Sequence, residues 1–206
     1  MSITSLNNFS INPAGPGTNQ GMLMPKLKYR FRVTLLGFGT QASTELTKQV
    51  VDVTRPKVNF DEVEIPIYNS KIYIAGKPNF DPLTLNVRDD ASGNVSKLVG
   101  QQIQKQFDFM EQASARSGID YKFTTRIEVL DGGNGNLGPG VLETFEAYGC
   151  FLTNADYGDA NYGTNDPMQI AMTIRYDNVI QTAGTVGIGT LVGRQAASAL
   201  TTGQTS

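Results

Sequence analysis

Strict alternation constrains this chain most. Between Lys26 and Leu36, the residues Leu27, Tyr29, Phe31, Val33 and Leu35 alternate with Lys28, Arg30, Arg32 and Thr34. A period of two belongs to an extended strand with one face toward a core and the other toward water, whereas a helix would scatter these residues around its whole circumference. The same reading covers Gln49 to Tyr68, where Val51 and Val53 precede a break at Arg55-Pro56 and Val63, Ile65 and Ile67 then alternate with Glu62 and Glu64. Pro66 has no N–H to donate, so this stretch is expected at a sheet edge. Lys71 to Ala75, Leu83 to Arg88, Tyr121 to Leu130, Val141 to Leu152 and Met168 to Val179 complete about seven strands, separated by Gly, Pro, Asn and Asp as in sandwiches and barrels.

One segment departs from period two. From Asn94 to Arg116 the apolar residues Val95, Leu98, Val99, Ile103, Phe107, Met110 and Ala113 recur at three and four, which predicts a helix with one buried stripe. Asp89, Asp90, Ser92 and Asn94 offer capping oxygens at its start, and Arg116 and Gly118 suit its end. The expected fold is therefore mainly β, an antiparallel sandwich or barrel with one α-helix packed on it at about 94–116.

The Asn-, Gly- and Pro-rich residues 1–25 read as an N-terminal arm, residues 26–180 as the β domain, and residues 181–206, in which Arg194 is the one charge, as a flexible C-terminal tail. The sequence holds 206 residues, enough for one domain that buries roughly 70% of its unfolded surface. The first ten residues do not read as a signal peptide, and no apolar run approaches the roughly 18 residues of a membrane span. Cys150 is the single cysteine, so no internal disulfide is expected.

The chain contains no histidine. That removes the Ser-His-Asp triad, the Cys-His pair and the His-ligated zinc site together. Carboxylate chemistry remains open, with Asp61 beside Glu62 or Glu64, or Glu143 with Glu146, as formal pairs, but any acidic protein offers such pairs and the chain has no tryptophan to serve as a sugar platform. The formal net charge of −2 gives no overall pull toward a nucleic-acid backbone.

Other motifs have plainer explanations. Gly133-Asn134-Gly135-Asn136-Leu137-Gly138 spells a dinucleotide loop, yet Pro139-Gly140 and a strand follow it, so no helix N-terminus is present to hold a phosphate. Asp156, Asp159 and Asp166 lie in a polar loop without calcium-loop spacing. Cys150, within an alternating strand, reads as a small buried apolar residue. No catalytic residue, cofactor or metal ligand is expected. Lys26, Lys28, Arg30 and Arg32 share one strand face, and Glu62 and Glu64 repeat the spacing with opposite charge, so the two sets are candidates for pairing within a sheet or between subunits.

The order of motifs carries a resemblance. Lys71-Ile72-Tyr73-Ile74-Ala75-Gly76, Phe80-Asp81-Pro82-Leu83-Thr84-Leu85, and Asp89-Asp90 entering the helix, with KLKYRFRVTLLGFG before them and Tyr148-Gly149-Cys150-Phe151-Leu152-Thr153 and Arg175-Tyr176-Asp177-Asn178 after, resemble the tail tube proteins of contractile-tailed bacteriophages, over about residues 26–180. These are related to the tube proteins of type VI secretion and other phage-derived injection systems. The resemblance implies a non-enzymatic virion protein, assembled in the host cytoplasm, whose strands join those of neighbours into a hexameric ring β-barrel. Stacked rings would form the tube through which DNA is ejected. It also implies as partners other copies of the chain, the tail sheath, baseplate and terminator proteins, and, in the lumen, the tape measure protein and passing DNA. A polar, mildly acidic lumen lined by a face such as that of Glu62 and Glu64 is the matching expectation. A β-sandwich ligand-binding module is the rival from another class.

Overall fold

The computed structural model describes residues 25–41, 43–132, 138–183 and 188–189. The chain divides into Met1–Arg30 and Phe31–Ser206. In the first unit, residues 25–30 hold no strand; the Arg30 N–H donates to the Leu27 carbonyl in a turn. The expected first strand therefore starts five residues late, and Lys26, Lys28 and Arg30 precede it.

The second unit runs β1 (Phe31–Leu36), β2 (Ser43–Glu45), β3 (Val50–Val53), β4 (Val58–Ile67), β5 (Ser70–Phe80), β6 (Leu83–Arg88), α1 (Asn94–Gln106), β7 (Phe107–Asp108), β8 (Ala113–Ser114), α2 (Gly118–Tyr121), β9 (Phe123–Leu130), β10 (Val141–Asp156), β11 (Gln169–Arg175) and β12 (Asn178–Thr182). Every strand pairing is antiparallel. The fold is mainly β, as alternation predicts. The strand expected at 168–179 is two strands broken at Tyr176-Asp177, and β12 continues to Thr182.

The main sheet has the order β2-β1-β9-β10-β11-β6-β3, with β12 also on β10. At 16 residues, β10 belongs to both halves of this sheet. Its first part pairs with β9 on one side and β12 on the other, and its last part pairs with β11. The inward residues of both halves meet in one cluster: Val33 and Leu35 of β1, Ile127 of β9, Phe145 and Ala147 of β10, Leu83, Leu85 and Val87 of β6, Ile170, Met172 and Ile174 of β11, and Val179 of β12. Cys150 is buried in the same cluster, its thiol donating to the Ala147 carbonyl at 3.2 Å, and burial raises its pKa.

Helix α1 closes the core with Val95 and Val99. Its start uses Asp90 from outside the helix, whose Oδ1 accepts the Asn94 N–H at 2.8 Å, while Gly93 takes a φ of 66° that suits glycine. The helix ends ten residues before the expected Arg116. Phe107 is extended at φ −151°, and the Asp108 carboxylate accepts the Met110 and Glu111 N–H groups at 2.9 and 3.2 Å, turning residues 107–114 into a small ribbon. Gly118 starts a helix instead of ending one, behind a capping box from Ser117.

Candidate functional site

Strands β4 and β5 form a hairpin separate from the main sheet. Its root is fixed: Val58 and Phe80 pack against the core, Phe80 lies 5.5 Å from the Tyr176 ring, the Asn59 amide donates to Asp81 at 2.9 Å, and the Arg175 guanidinium donates to Asn79 at 3.2 Å. Above the root a bulge falls between Phe60 and Glu62. Gly76 is needed opposite it, because a Cβ there would come within 2.9 Å of the Asp61 carbonyl oxygen.

Beyond the bulge the register sorts the side chains. Val63 faces Ile74, Ile65 faces Ile72 and Ile67 faces Ser70, so five aliphatic residues form a ladder on one side of the ribbon. Each remains between 41% and 51% exposed. The opposite side holds Glu62 across from Ala75, Glu64 across from Tyr73, and Pro66 across from Lys71, with Lys71 bonded to Glu64 at 2.7 Å. The ribbon is thus sharply two-faced, yet among the described residues nothing covers either face. A two-stranded ribbon alone is at best marginal in water, and a contiguous apolar patch of this kind marks a contact surface.

The tip carries the same signature. Tyr68 is fully exposed and adopts a φ of 46°, a left-handed conformation that costs a bulky side chain roughly 1–2 kcal/mol. A large aromatic held at that cost on a protruding tip suits an anchor in a partner's pocket. Tyr68→Gly is expected to stabilise the isolated subunit by about 1 kcal/mol in urea titrations and to weaken self-association in the same preparation; a loss on both counts would make Tyr68 merely structural.

The outward face of β1, β9 and β10 contrasts with the ladder because its charges are already matched. Arg32 bonds Glu128 at 2.5 Å, Arg126 bonds Glu146 at 2.6 Å, and the Tyr148 hydroxyl donates to Glu146. The Tyr148 hydrogen bond holds the Glu146 carboxyl below its ordinary pKa; burial, the next largest effect, opposes it, and Arg126 adds to the lowering. A carboxyl lowered by folding stabilises the fold above its unfolded pKa, and this contribution fades as pH falls from the unfolded value through the lower folded one. Thermal melts should therefore separate Glu146→Gln from wild type at pH 7, with the gap closing toward pH 3.

These placements decide what the charged sets can do inside one chain. Arg32 lies on β1 and Glu62 and Glu64 on β4, strands of different sheets; Arg32 bonds Glu128, and Glu64 bonds Lys71. Glu143 and Glu146 point to opposite faces of β10, Glu143 buried beside Gln181 and Glu146 outward, which ends their reading as a catalytic pair. Gly133 to Leu137 of the glycine-rich loop lie outside the described residues. Among the described residues no group of three acidic or cysteine side chains could hold a metal, and no helix is long and apolar enough to cross a membrane.

Sequence alternation alone reads Val63, Ile65 and Ile67 as facing a core. The exposed ladder was still signalled by the matching run Ile72, Ile74 across a two-residue turn, Tyr68-Asn69, since two strands so closely joined must pair with each other.

No protein-family model and no curated protein sequence matches the chain. Solved structures do. A chain of the anti-feeding prophage baseplate, 6-fold symmetrised, superposes with a TM-score of 0.62 at 12% identity, covering 80% of this chain and 100% of its own. A chain of the sheath-tube complex of an extracellular contractile injection system, in the extended state, gives 0.56 at 16% identity over 77% of this chain and 92% of its own. One from the sheath/tube terminator of such a system gives 0.58 at 16% identity over 78% and 98%. At these identities the likeness is one of fold. The chain thus has a fold found in contractile injection assemblies, as its resemblance to tail tube proteins implies.

Proposed function

We propose that this chain is a structural subunit that polymerises with itself, as stacked six-membered rings, into the inner tube of a contractile apparatus, and that it has no enzymatic role. The observation that carries this reading is the exposed aliphatic ladder of the β4–β5 hairpin, rooted in the core but facing nothing among the described residues. A repeated contact between identical subunits gives rings when the rotation closes and length when rings stack. Six-fold symmetry is supported by the baseplate structure of like fold.

With the ladder covered by a second copy, the opposite face with Glu62 and Glu64 would turn toward water, in keeping with a polar, mildly acidic channel wall. Lys26, Lys28, Arg30 and Arg32 remain candidates for contacts between copies. Sheath, baseplate and terminator proteins are proposed as neighbours on the outside and at the ends, and a tape measure protein and DNA inside. The cargo separates two readings. A phage tail, assembled in the host cytoplasm and carried on the virion, passes DNA, whereas a phage-derived injection system passes protein. The structures of like fold, from an anti-feeding prophage baseplate and an extracellular contractile injection system, favour the second as much as the first.

Electron microscopy of the purified protein at rising concentration tests the common core of both. Six-fold rings or tubes roughly 100 Å or less across, the width set by six domains of this size, are expected. Persistent monomers would refute the proposal.

A further inference from the structure

Strand β10 outruns its neighbour β9. Their pairing ends at Cys150 opposite Phe123, while on its other side β10 continues against β11 from Phe151 to Asp156. Among the described residues no strand follows β9 along that second stretch. Such an edge offers unpaired N–H and C=O groups to any passing strand, the usual route to uncontrolled sheet growth.

The first rung of this edge is filled by a side chain. Gln106, the last residue of α1, donates from Nε2 to the Leu152 carbonyl at 2.9 Å and accepts the Leu152 N–H on Oε1 at 2.8 Å. A carboxamide presents one donor and one acceptor side by side, as a residue of an antiparallel partner does in a hydrogen-bonded pair. Gln102, one turn earlier, fixes the helix through two backbone bonds of its own. Next to Gln106 an open groove of about 480 Å³, lined by Ser114, Ala115, Tyr121, Phe151 and Thr153, leaves space beside the edge.

We propose that Gln106 is a strand mimic: it occupies the rung that β9 vacates and so prevents the β10 edge from recruiting a strand of another molecule. The device leaves the hairpin free for self-association while closing a competing route. It stands on the geometry of β10 and would operate in a protein of any function.

The probe is a labelled peptide with the β9 sequence FTTRIEVL, added to the full chain. In wild type the Leu152 amide should exchange with deuterium no faster than its neighbours in the β10–β11 ladder, and the peptide should not bind. In Gln106→Met, which keeps the length but neither hydrogen bond, Leu152 exchange should rise at least tenfold and the peptide should bind. Gln106→Glu keeps the acceptor and loses the donor, and should also bind the peptide. Fast Leu152 exchange in wild type, or no peptide binding by a folded variant, would overturn the proposal, and the wild-type measurement decides even if a variant fails to fold.

Discussion

Replacing Ile65 with Lys and Ile72 with Glu is expected to leave a folded monomer that no longer assembles. The two positions face each other across the hairpin, so the new charges attract and hold the ribbon together about as well as the aliphatic pair did. Both side chains already meet water, at 41% and 49% exposure, and the melting temperature should move by no more than about 3 °C. Assembly responds differently. Covering the exposed half of each ladder residue contributes about 1 kcal/mol, or about 5 kcal/mol for the set. The variant loses two of those contributions and must also strip water from an ion pair, at several kcal/mol. The association constant of the contact should fall by more than about a thousandfold. Sedimentation velocity reports the loss, and circular dichroism reports the intact fold.

Gln102→Leu should do the reverse, striking the fold itself. Gln102 is fully buried, accepts the Gly39 N–H at 3.0 Å and donates to the Tyr121 carbonyl at 2.6 Å, joining the loop after β1 to the residue that ends α2. Leucine fits the volume but removes the partner from two backbone groups, at about 1–3 kcal/mol each. A total near 3 kcal/mol corresponds to a fall in melting temperature of about 6–12 °C for a domain of this size. A shift under about 2 °C in a calorimetric scan would mean that water or relaxation replaces the carboxamide.

The strands of the main sheet were legible in the sequence because their alternation has a single cause, one face on a core. Val33 and Leu35, or Leu83, Leu85 and Val87, point where the pattern puts them. Helix α1 was legible up to Gln106 and misread beyond. The three-and-four spacing continues through Phe107, Met110 and Ala113, but Asp108 captures two backbone N–H groups locally, and spacing does not register that competition. The glutamines were legible in hindsight: positions 95, 99, 102 and 106 follow one helix stripe, and a polar side chain there must find buried partners. The hairpin marks a different boundary. Alternation in Val63, Ile65 and Ile67 says that one face is to be covered, but whether the cover belongs to the same chain or to another copy is a property of tertiary structure.

The most direct test of that cover is a photo-cross-link from position 72. A benzophenone amino acid in place of Ile72, in a mixture of nitrogen-14 and nitrogen-15 copies, should give, within the fraction that sediments as rings, cross-linked peptides carrying both isotopes in one product. Rings that form with cross-links confined to a single copy, or with none at all, would contradict the claim that the β4–β5 ladder is buried by a neighbouring subunit.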